Sequence, residues 1–232
     1  IYSIDSQCLI KRLCINTEGD NSVVGGFGGY YIADMQHIFI PSMYVNTIFV
    51  VDTVGKVRRK ITYEKTRDNQ ELKPFMLSDR SQMVFIGNNL YIPQTINLRL
   101  GDKAIAESPI KVVIDTAENI IKALPMRFPP LISCKDFGTV GAFGAEYSCC
   151  YDGNKFIYSF NADEDLYLTS IEHRSVEKKK AKSKYIENVT VFRSNEENFQ
   201  KMVKAQCEHA SYGKILYDKY RNVYYRFVYP PC

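Results

Sequence analysis

Arginine, asparagine, aspartate and tyrosine side chains suited to holding a polar ligand occur in the segments between strand-like runs. Arginine pairs with carboxylates and phosphates because its guanidinium donates two parallel hydrogen bonds. Tyrosine stacks on the apolar face of a sugar or peptide, and asparagine hydrogen-bonds its rim. The alternative is that they are ordinary exposed loop residues. The predicted ligand-binding residues are Tyr44, Asn46, Arg67, Arg80, Asn97, Arg99, Asn161 and Asp163.

The sequence predicts no catalytic residue, no metal site and no cofactor. His37, His173 and His209 have no recognisable nucleophile or carboxylate partner in the sequence, and a general base needs such a partner. The run Asp163-Glu164-Asp165 could ligate a hard cation, but it lacks the regular spacing of a calcium loop. We therefore interpret it as a solvated turn.

Cysteine usage and charge exclude several other classes of protein. The 7 cysteines are odd in number and show no metal-ligand spacing, so mostly free thiols are expected. The adjacent Cys149 and Cys150 lie in a strand and should point to opposite faces. A net charge of +4 is too small and too scattered for a nucleic-acid binder. No apolar run approaches the roughly 20 residues that span a bilayer.

The elements that position these residues are predicted to be β-strands. The 17 Tyr and 13 Phe, set among many Ile and Val, are typical of strands. A hairpin unit recurs along the chain, with its second strand at Ile38-Phe39-Ile40, Leu90-Tyr91-Ile92, Phe156-Ile157-Tyr158 and Val223-Tyr224-Tyr225. Repeated hairpins of this kind predict an all-β protein made of four-stranded blades, a β-propeller.

The predicted chain is a single β-propeller domain over residues 1–232, with three complete blades and two half blades. The half blades could pair and close a small ring, or blades could be missing at both ends, as in a truncated chain. The predicted parts are the end of a blade at 1–15, blades at 28–64, 81–128 and 144–186, a helical insertion at 195–208 and the start of a blade at 211–229.

The segment from Tyr212 to Arg226 reads Tyr-x-x-Ile-x-Tyr-Asp-x-Tyr-Arg-x-x-Tyr-Tyr-Arg, and with the upstream 181–186 it resembles the Bacteroidetes DUF4221 family. The resemblance implies a TolB-like six-bladed propeller in an exported protein of unknown function, often a lipoprotein. It therefore implies a periplasmic or cell-surface location and membrane tethering through a lipid anchor, although this sequence shows neither export signal nor lipid-attachment cysteine. The family supplies no catalytic residues to transfer.

Three functional hypotheses follow. The leading one is a non-catalytic exported propeller that binds a glycan, peptide or protein ligand through the face on which its long loops converge. The second is a propeller hydrolase or lyase acting on a carbohydrate or lactone. The third is a structural assembly module. Fold alone cannot choose among them, because function depends on the site.

Overall fold

The computed structural model describes residues 2–3, 5–72, 77, 80–94, 107–129, 147–189 and 198–232. The chain divides into two compact units, the first comprising Ile1–Ser78, Met83–Ile92 and Val113–Lys122, and the second comprising Asp79–Gln82, Pro93–Val112 and Ala123–Cys232. Within the described ranges, no helix is long and apolar enough to cross a membrane.

The structure is built from antiparallel sheets of consecutive strands. Two hairpins, β1–β2 and β15–β16, flank three four-stranded sheets made of β3–β6, β7–β10 and β11–β14. The strands are β1 (Tyr2–Ser3), β2 (Cys8–Leu9), β3 (Tyr31–Ile32), β4 (Ile38–Pro41), β5 (Thr47–Val51), β6 (Val57–Thr62), β7 (Val84–Ile86), β8 (Asn89–Pro93), β9 (Lys111–Asp115), β10 (Ile120–Ala123), β11 (Tyr147–Tyr151), β12 (Phe156–Phe160), β13 (Asp165–Thr169), β14 (Val176–Lys180), β15 (Ser211–Asp218) and β16 (Val223–Tyr229).

Three of the sheets have four strands that follow one another in sequence. Each predicted blade, at 28–64, 81–128 and 144–186, contains one four-stranded sheet in the expected strand order. The all-β class is therefore confirmed at the level of four-stranded antiparallel sheets.

The core of the first unit is built on β4 and β5. Residues on both faces of β5 are buried from Ile48 to Val51, as expected of an inner strand covered on two sides. The outer strand β6 instead buries Ile61 and exposes Arg59 and Lys60. The core cluster contains Val23, Ile38, Ile40, Phe49 and Val51.

The sheet β11–β14 of the second unit has two different faces, because side chains alternate along each strand. One face carries Cys150, Ile157 and Leu168, which pack with Ile215 of β15. The other face, which we call the aromatic face, carries the aromatic side chains of this sheet together with Cys149 and Thr169. Its members on the three inner strands are Tyr147, Cys149, Tyr151, Phe156, Tyr158, Phe160, Tyr167 and Thr169.

One described helix lies within the predicted helical insertion, of which residues 195–197 lie outside the described residues. It is α1 (Phe199–Cys207), whereas the sequence pattern placed it at 195–208. Asn198 precedes it and its side-chain oxygen accepts a hydrogen bond from the Lys201 backbone N–H at 3.1 Å. A side-chain oxygen in this position caps a helix N-terminus, so the helix begins at residue 199.

Candidate functional site

The aromatic face has one row of side chains that crosses all four strands. Cys149 pairs with Tyr158, Tyr158 with Tyr167, and Tyr167 with Lys178. Directly paired residues on antiparallel strands point to the same face. This row therefore runs from the Cys149 thiol on β11, across the two tyrosine rings, to the Lys178 ammonium on β14.

Lys111, the first residue of β9, is completely buried. Its Nζ lies 4.7 Å from the centre of the Phe156 ring and 5.7 Å from the centre of the Tyr158 ring. Among the residues that the structure describes, the nitrogen has no hydrogen-bond partner. Burial lowers the Lys111 pKa, and the nearby Cys149 thiol only partly offsets this fall. A buried amine is most stable in its neutral form, because desolvation penalises the ammonium.

His173 stands beside this cluster in the turn between β13 and β14. The Tyr158 hydroxyl lies 2.6 Å from its Nε2, and its ring lies 5.0 Å from that of Phe156. Burial, and to a smaller extent the nearby Lys111, lowers the His173 pKa to about 4. The imidazole is therefore neutral near pH 7, and a neutral Nε2 can accept the tyrosine hydrogen bond.

A groove of about 320 Å³ runs along the outer half of the aromatic face. We call it the cationic groove. Its volume is in the range of small-ligand sites. The residues that give it its chemistry are Arg127, Phe128, Tyr167, His173, Arg174 and Lys178.

The cationic groove is positive because its charged lining residues are all bases. No described residue of its lining carries a carboxylate. The Arg127 guanidinium donates to the backbone carbonyls of Leu124 and Met126, and burial lowers its pKa. The Lys178 Nζ lies 4.8 Å from the centre of the Tyr167 ring. The arrangement can attract and hydrogen-bond an anion while an aromatic floor excludes water.

Carboxylates near the groove have partners of their own. The Tyr167 hydroxyl donates to the Asp163 carboxylate. Glu172, the neighbour of Arg174, accepts a hydrogen bond from the Ser170 hydroxyl at 2.7 Å. Its pKa is lowered chiefly by that bond, and to a smaller extent by the charge of Arg174. The positive charge of the lining is thus not neutralised from within it.

A second groove, of about 400 Å³, lies in the first unit. His37 lines it, and its Nδ1 lies 2.8 Å from the Asp34 carboxylate. The hydrogen bond from His37 lowers the Asp34 pKa. This carboxylate partner was not predicted from the sequence, although Asp34 is only three residues away. A His–Asp pair can orient an imidazole as a general base.

The predicted binding residues of the first unit lie in turns. Tyr44 is exposed, between β4 and β5. Asn46 is next to that turn and its Nδ2 donates to the Leu72 carbonyl at 2.9 Å. Arg67 is exposed, and its backbone N–H donates to the Ile121 carbonyl at 2.8 Å. Asn46 thus braces a loop, while the side chains of Tyr44 and Arg67 face solvent.

The predicted binding residues of the second unit take part in hydrogen bonds that hold the fold together. The Arg80 carbonyl accepts hydrogen bonds from the Cys149 backbone and the Ser148 hydroxyl. Asn161 and Asp163 lie together in the turn between β12 and β13, where the Asn161 carbonyl accepts a hydrogen bond from the Tyr212 N–H. None of the three is in the lining of the cationic groove. Asn97 and Arg99 lie outside the described residues, so their predicted role stays a prediction.

Sequence reasoning missed the residues that make the cationic groove. Arg127, Arg174 and Lys178 are separated in sequence and come together only in the folded second unit. Lys111 did carry a signal, because it opens the strand Lys-Val-Val-Ile-Asp directly after Ile110. A lysine flanked by apolar strand residues indicates a buried amine.

The described cysteines and acidic residues form no metal cluster. Cys8, Cys14, Cys149, Cys150, Cys207 and Cys232 are free thiols, and Cys134 lies outside the described residues. Across the described ranges, no three His, Cys, Asp or Glu side chains are grouped so that they could hold a metal ion. The acidic run 163–165 forms a turn in which Glu164 pairs with Lys180 and Lys182.

The fold and grooves define an all-β protein of antiparallel four-stranded sheets. Comparison with known families gives a match to "Domain of unknown function (DUF4221)" over residues 1–231. The chain therefore belongs to the DUF4221 family, as its sequence motif indicated, and no function is established for that family.

Comparison with solved structures supports the same assignment. The chain is similar to the crystal structure of a DUF4221 family member from Bacteroides vulgatus, with a TM-score of 0.82 and 21% sequence identity. The match covers 99% of this chain and 64% of that one, so the chain spans less than two thirds of its solved relative. No curated protein matches the chain.

Proposed function

We propose that the protein is a non-catalytic binding protein whose cationic groove holds the anionic group of a small ligand. The observation that carries this proposal is the lining of the groove, in which Arg127, Arg174 and Lys178 surround an aromatic floor without a carboxylate. Arginine and lysine bind carboxylate and phosphate oxygens through charge-assisted hydrogen bonds. The ligand class is thus an oxyanion, such as the carboxylate of an acidic sugar or of an acidic peptide.

The groove is better suited to binding than to turnover. Its histidine, His173, is buried and neutral, and its Nε2 is engaged by the Tyr158 hydroxyl. The groove lining contains no serine, threonine or cysteine among the described residues. A nucleophile and base in contact with one another are what covalent catalysis requires.

The sheets support a propeller as the wider architecture. Consecutive four-stranded antiparallel meanders are the units from which propellers are made, and the solved relative is longer than this chain. We place the described sheets as blades of a TolB-like six-bladed propeller in an exported, lipid-tethered protein of the periplasm or cell surface. Fractionation of the full-length protein, with labelling of its lipid, would test that location.

Binding is tested by thermal shift and calorimetry with matched ligand pairs. An acidic oligosaccharide and its neutral counterpart, and an acidic peptide and its amidated counterpart, separate charge from shape. A ligand that binds the native state raises the melting temperature. The acidic member of a pair should bind, and its affinity should fall as salt screens the charges. Equal binding of the neutral member would contradict the proposal.

Two substitutions on β14 provide a matched comparison. Lys178→Ala removes an ammonium from the groove, and loss of one charge-assisted hydrogen bond of about 1.5–3 kcal/mol weakens binding roughly ten- to a hundredfold. Lys179→Ala is the control, since Lys179 points to the other face and pairs with Glu177. Equal effects of the two changes would show that general surface charge, not the groove, attracts the ligand.

A second candidate function rests on the His37–Asp34 pair. An oriented imidazole in a groove could act as the base of a hydrolase or lyase on a carbohydrate or lactone. Turnover of such a substrate that disappears in His37→Ala, but persists in His209→Ala, would favour this function over binding alone.

A further inference from the structure

The inner end of the aromatic face brings an amine and a thiol together. The Lys111 Nζ lies 5.7 Å from the centre of the Tyr158 ring, and Cys149 is the direct cross-strand partner of Tyr158. Partners on neighbouring antiparallel strands have Cβ atoms about 5 Å apart. The amine and thiol therefore meet beside the same ring.

Neither group has a strong partner among the described residues. The Lys111 Nζ is completely buried and has no hydrogen-bond partner there, and the Cys149 thiol makes a long contact of 3.8 Å with the Cys150 carbonyl oxygen. Cys150 is adjacent in sequence but packs on the opposite face with Ile157 and Leu168, so it is badly placed to form a disulfide with Cys149. A buried polar group without a partner calls for a functional explanation.

We propose that Lys111 and Cys149 form a peroxide-responsive modification site, at which oxidation joins the lysine nitrogen to the cysteine sulfur. Hydrogen peroxide first oxidises the Cys149 thiol to a sulfenic acid and is reduced to water. The electron pair of the Lys111 amine then attacks the sulfur and the S–O bond breaks. The leaving hydroxide takes a proton from the nitrogen and becomes a second water, which leaves an N–S bond, a sulfenamide.

The surroundings permit the oxidation step and favour the attack of the amine. Cys149 keeps partial solvent exposure as a residue, so a molecule as small as peroxide can reach it, although its thiol lies among buried groups. Attack requires the neutral amine, and burial lowers the Lys111 pKa in that direction. Burial raises the Cys149 pKa, which slows the first step and makes the site respond to strong rather than basal oxidation.

The experiment exposes the full chain to hydrogen peroxide, blocks remaining thiols by alkylation and digests it with trypsin. The expected product is a linked pair of peptides containing Lys111 and Cys149, lighter by two hydrogen atoms than the separate peptides. Trypsin should no longer cleave after Lys111, and dithiothreitol should restore both cleavage and alkylation. These readouts use the wild-type chain and do not depend on the folding of a variant.

Variants then show which nitrogen and which sulfur are linked. Cys150→Ser should keep the link and Cys149→Ser should abolish it, with circular dichroism confirming that each is folded. Lys111→Met should leave a Cys149 sulfenic acid that dimedone traps. Full cleavage after Lys111 in the oxidised wild type, with dimedone trapped at Cys149, would overturn the proposal. A linked pair that retains an oxygen atom would overturn the N–S bond.

Discussion

The guanidinium of Arg226 lies 3.5 Å from the centre of the Tyr212 ring. These residues are the two ends of the sequence motif that identified the family, and they face one another across the hairpin β15–β16. The Arg226 Nε also donates to the Ser159 hydroxyl at 2.8 Å, and its Nη1 donates to the Glu164 carbonyl at 2.8 Å. The motif therefore fastens this hairpin to the sheet β11–β14.

Arg226→Ala should strongly destabilise the second unit. The change leaves carbonyl groups of the β12–β13 turn without their donor and removes the stacking on Tyr212. Loss of charge-assisted hydrogen bonds should cost about 3 kcal/mol, which lowers the melting temperature of a chain of this size by roughly 6–12 °C. Arg221→Ala is the control, because that exposed arginine only pairs with Asp218 and should cost under about 0.5 kcal/mol.

The burial of Lys111 should make the free energy of unfolding depend on pH. Its pKa in the folded protein is lowered by burial, so the unfolded chain binds more protons and stability rises with pH up to the ordinary lysine pKa. Lys111→Met removes this penalty and should stabilise the protein by about 1–3 kcal/mol near pH 7.

The gain from Lys111→Met should shrink as pH rises toward the ordinary lysine pKa, where the amine is neutral in both states. Urea unfolding at several pH values measures this trend. Lys122→Met, on the exposed side of β10, is the control and should show no such slope. A gain from Lys111→Met that stays constant with pH would mean that packing, not charge, sets the effect.

Substitutions at two glycines with positive φ distinguish the cost of a steric clash from the cost of backbone strain. A Cβ at Gly55, whose φ is +82°, would overlap the Cys14 carbonyl oxygen, whereas a Cβ at Gly87, whose φ is +59°, meets nothing within 4 Å. Gly87→Ala carries only the strain of a left-handed backbone, about 1 kcal/mol. Gly55→Ala must also displace the backbone of Cys14, so its cost should exceed that of Gly87→Ala by at least about 1 kcal/mol.

Urea unfolding of both glycine variants provides the measurement. Equal destabilisation would show that the Cys14 segment moves away freely.

The strands could be predicted from the sequence because their turns are set by local chemistry. The Asp52 carboxylate accepts hydrogen bonds from the backbone N–H groups of Val54 and Lys56, and Asp115, Asp152 and Asp218 make similar bonds in their own turns. An aspartate that binds the backbone two to four residues ahead is visible in any sequence as an Asp-led turn.

The cationic groove could not be predicted in the same way. Its charge depends on Arg127 reaching the surface near Arg174 and Lys178, and nothing in the residues between them encodes that proximity. Asp163 had the expected chemistry, but its carboxylate already accepts hydrogen bonds from the Asp165 N–H and the Tyr167 hydroxyl. A polar side chain in a loop is thus available to a ligand only when the fold leaves it unpaired.

Neighbouring strands in each sheet are also neighbours in sequence, and this affects how the chain acquires its structure. Closing the short loops between such strands carries little entropic penalty. The sheet β3–β6 is complete by residue 62, so all its strands can pair while the ribosome is still adding the rest of the chain. Assembly can therefore proceed sheet by sheet during synthesis, without any strand waiting for a distant partner.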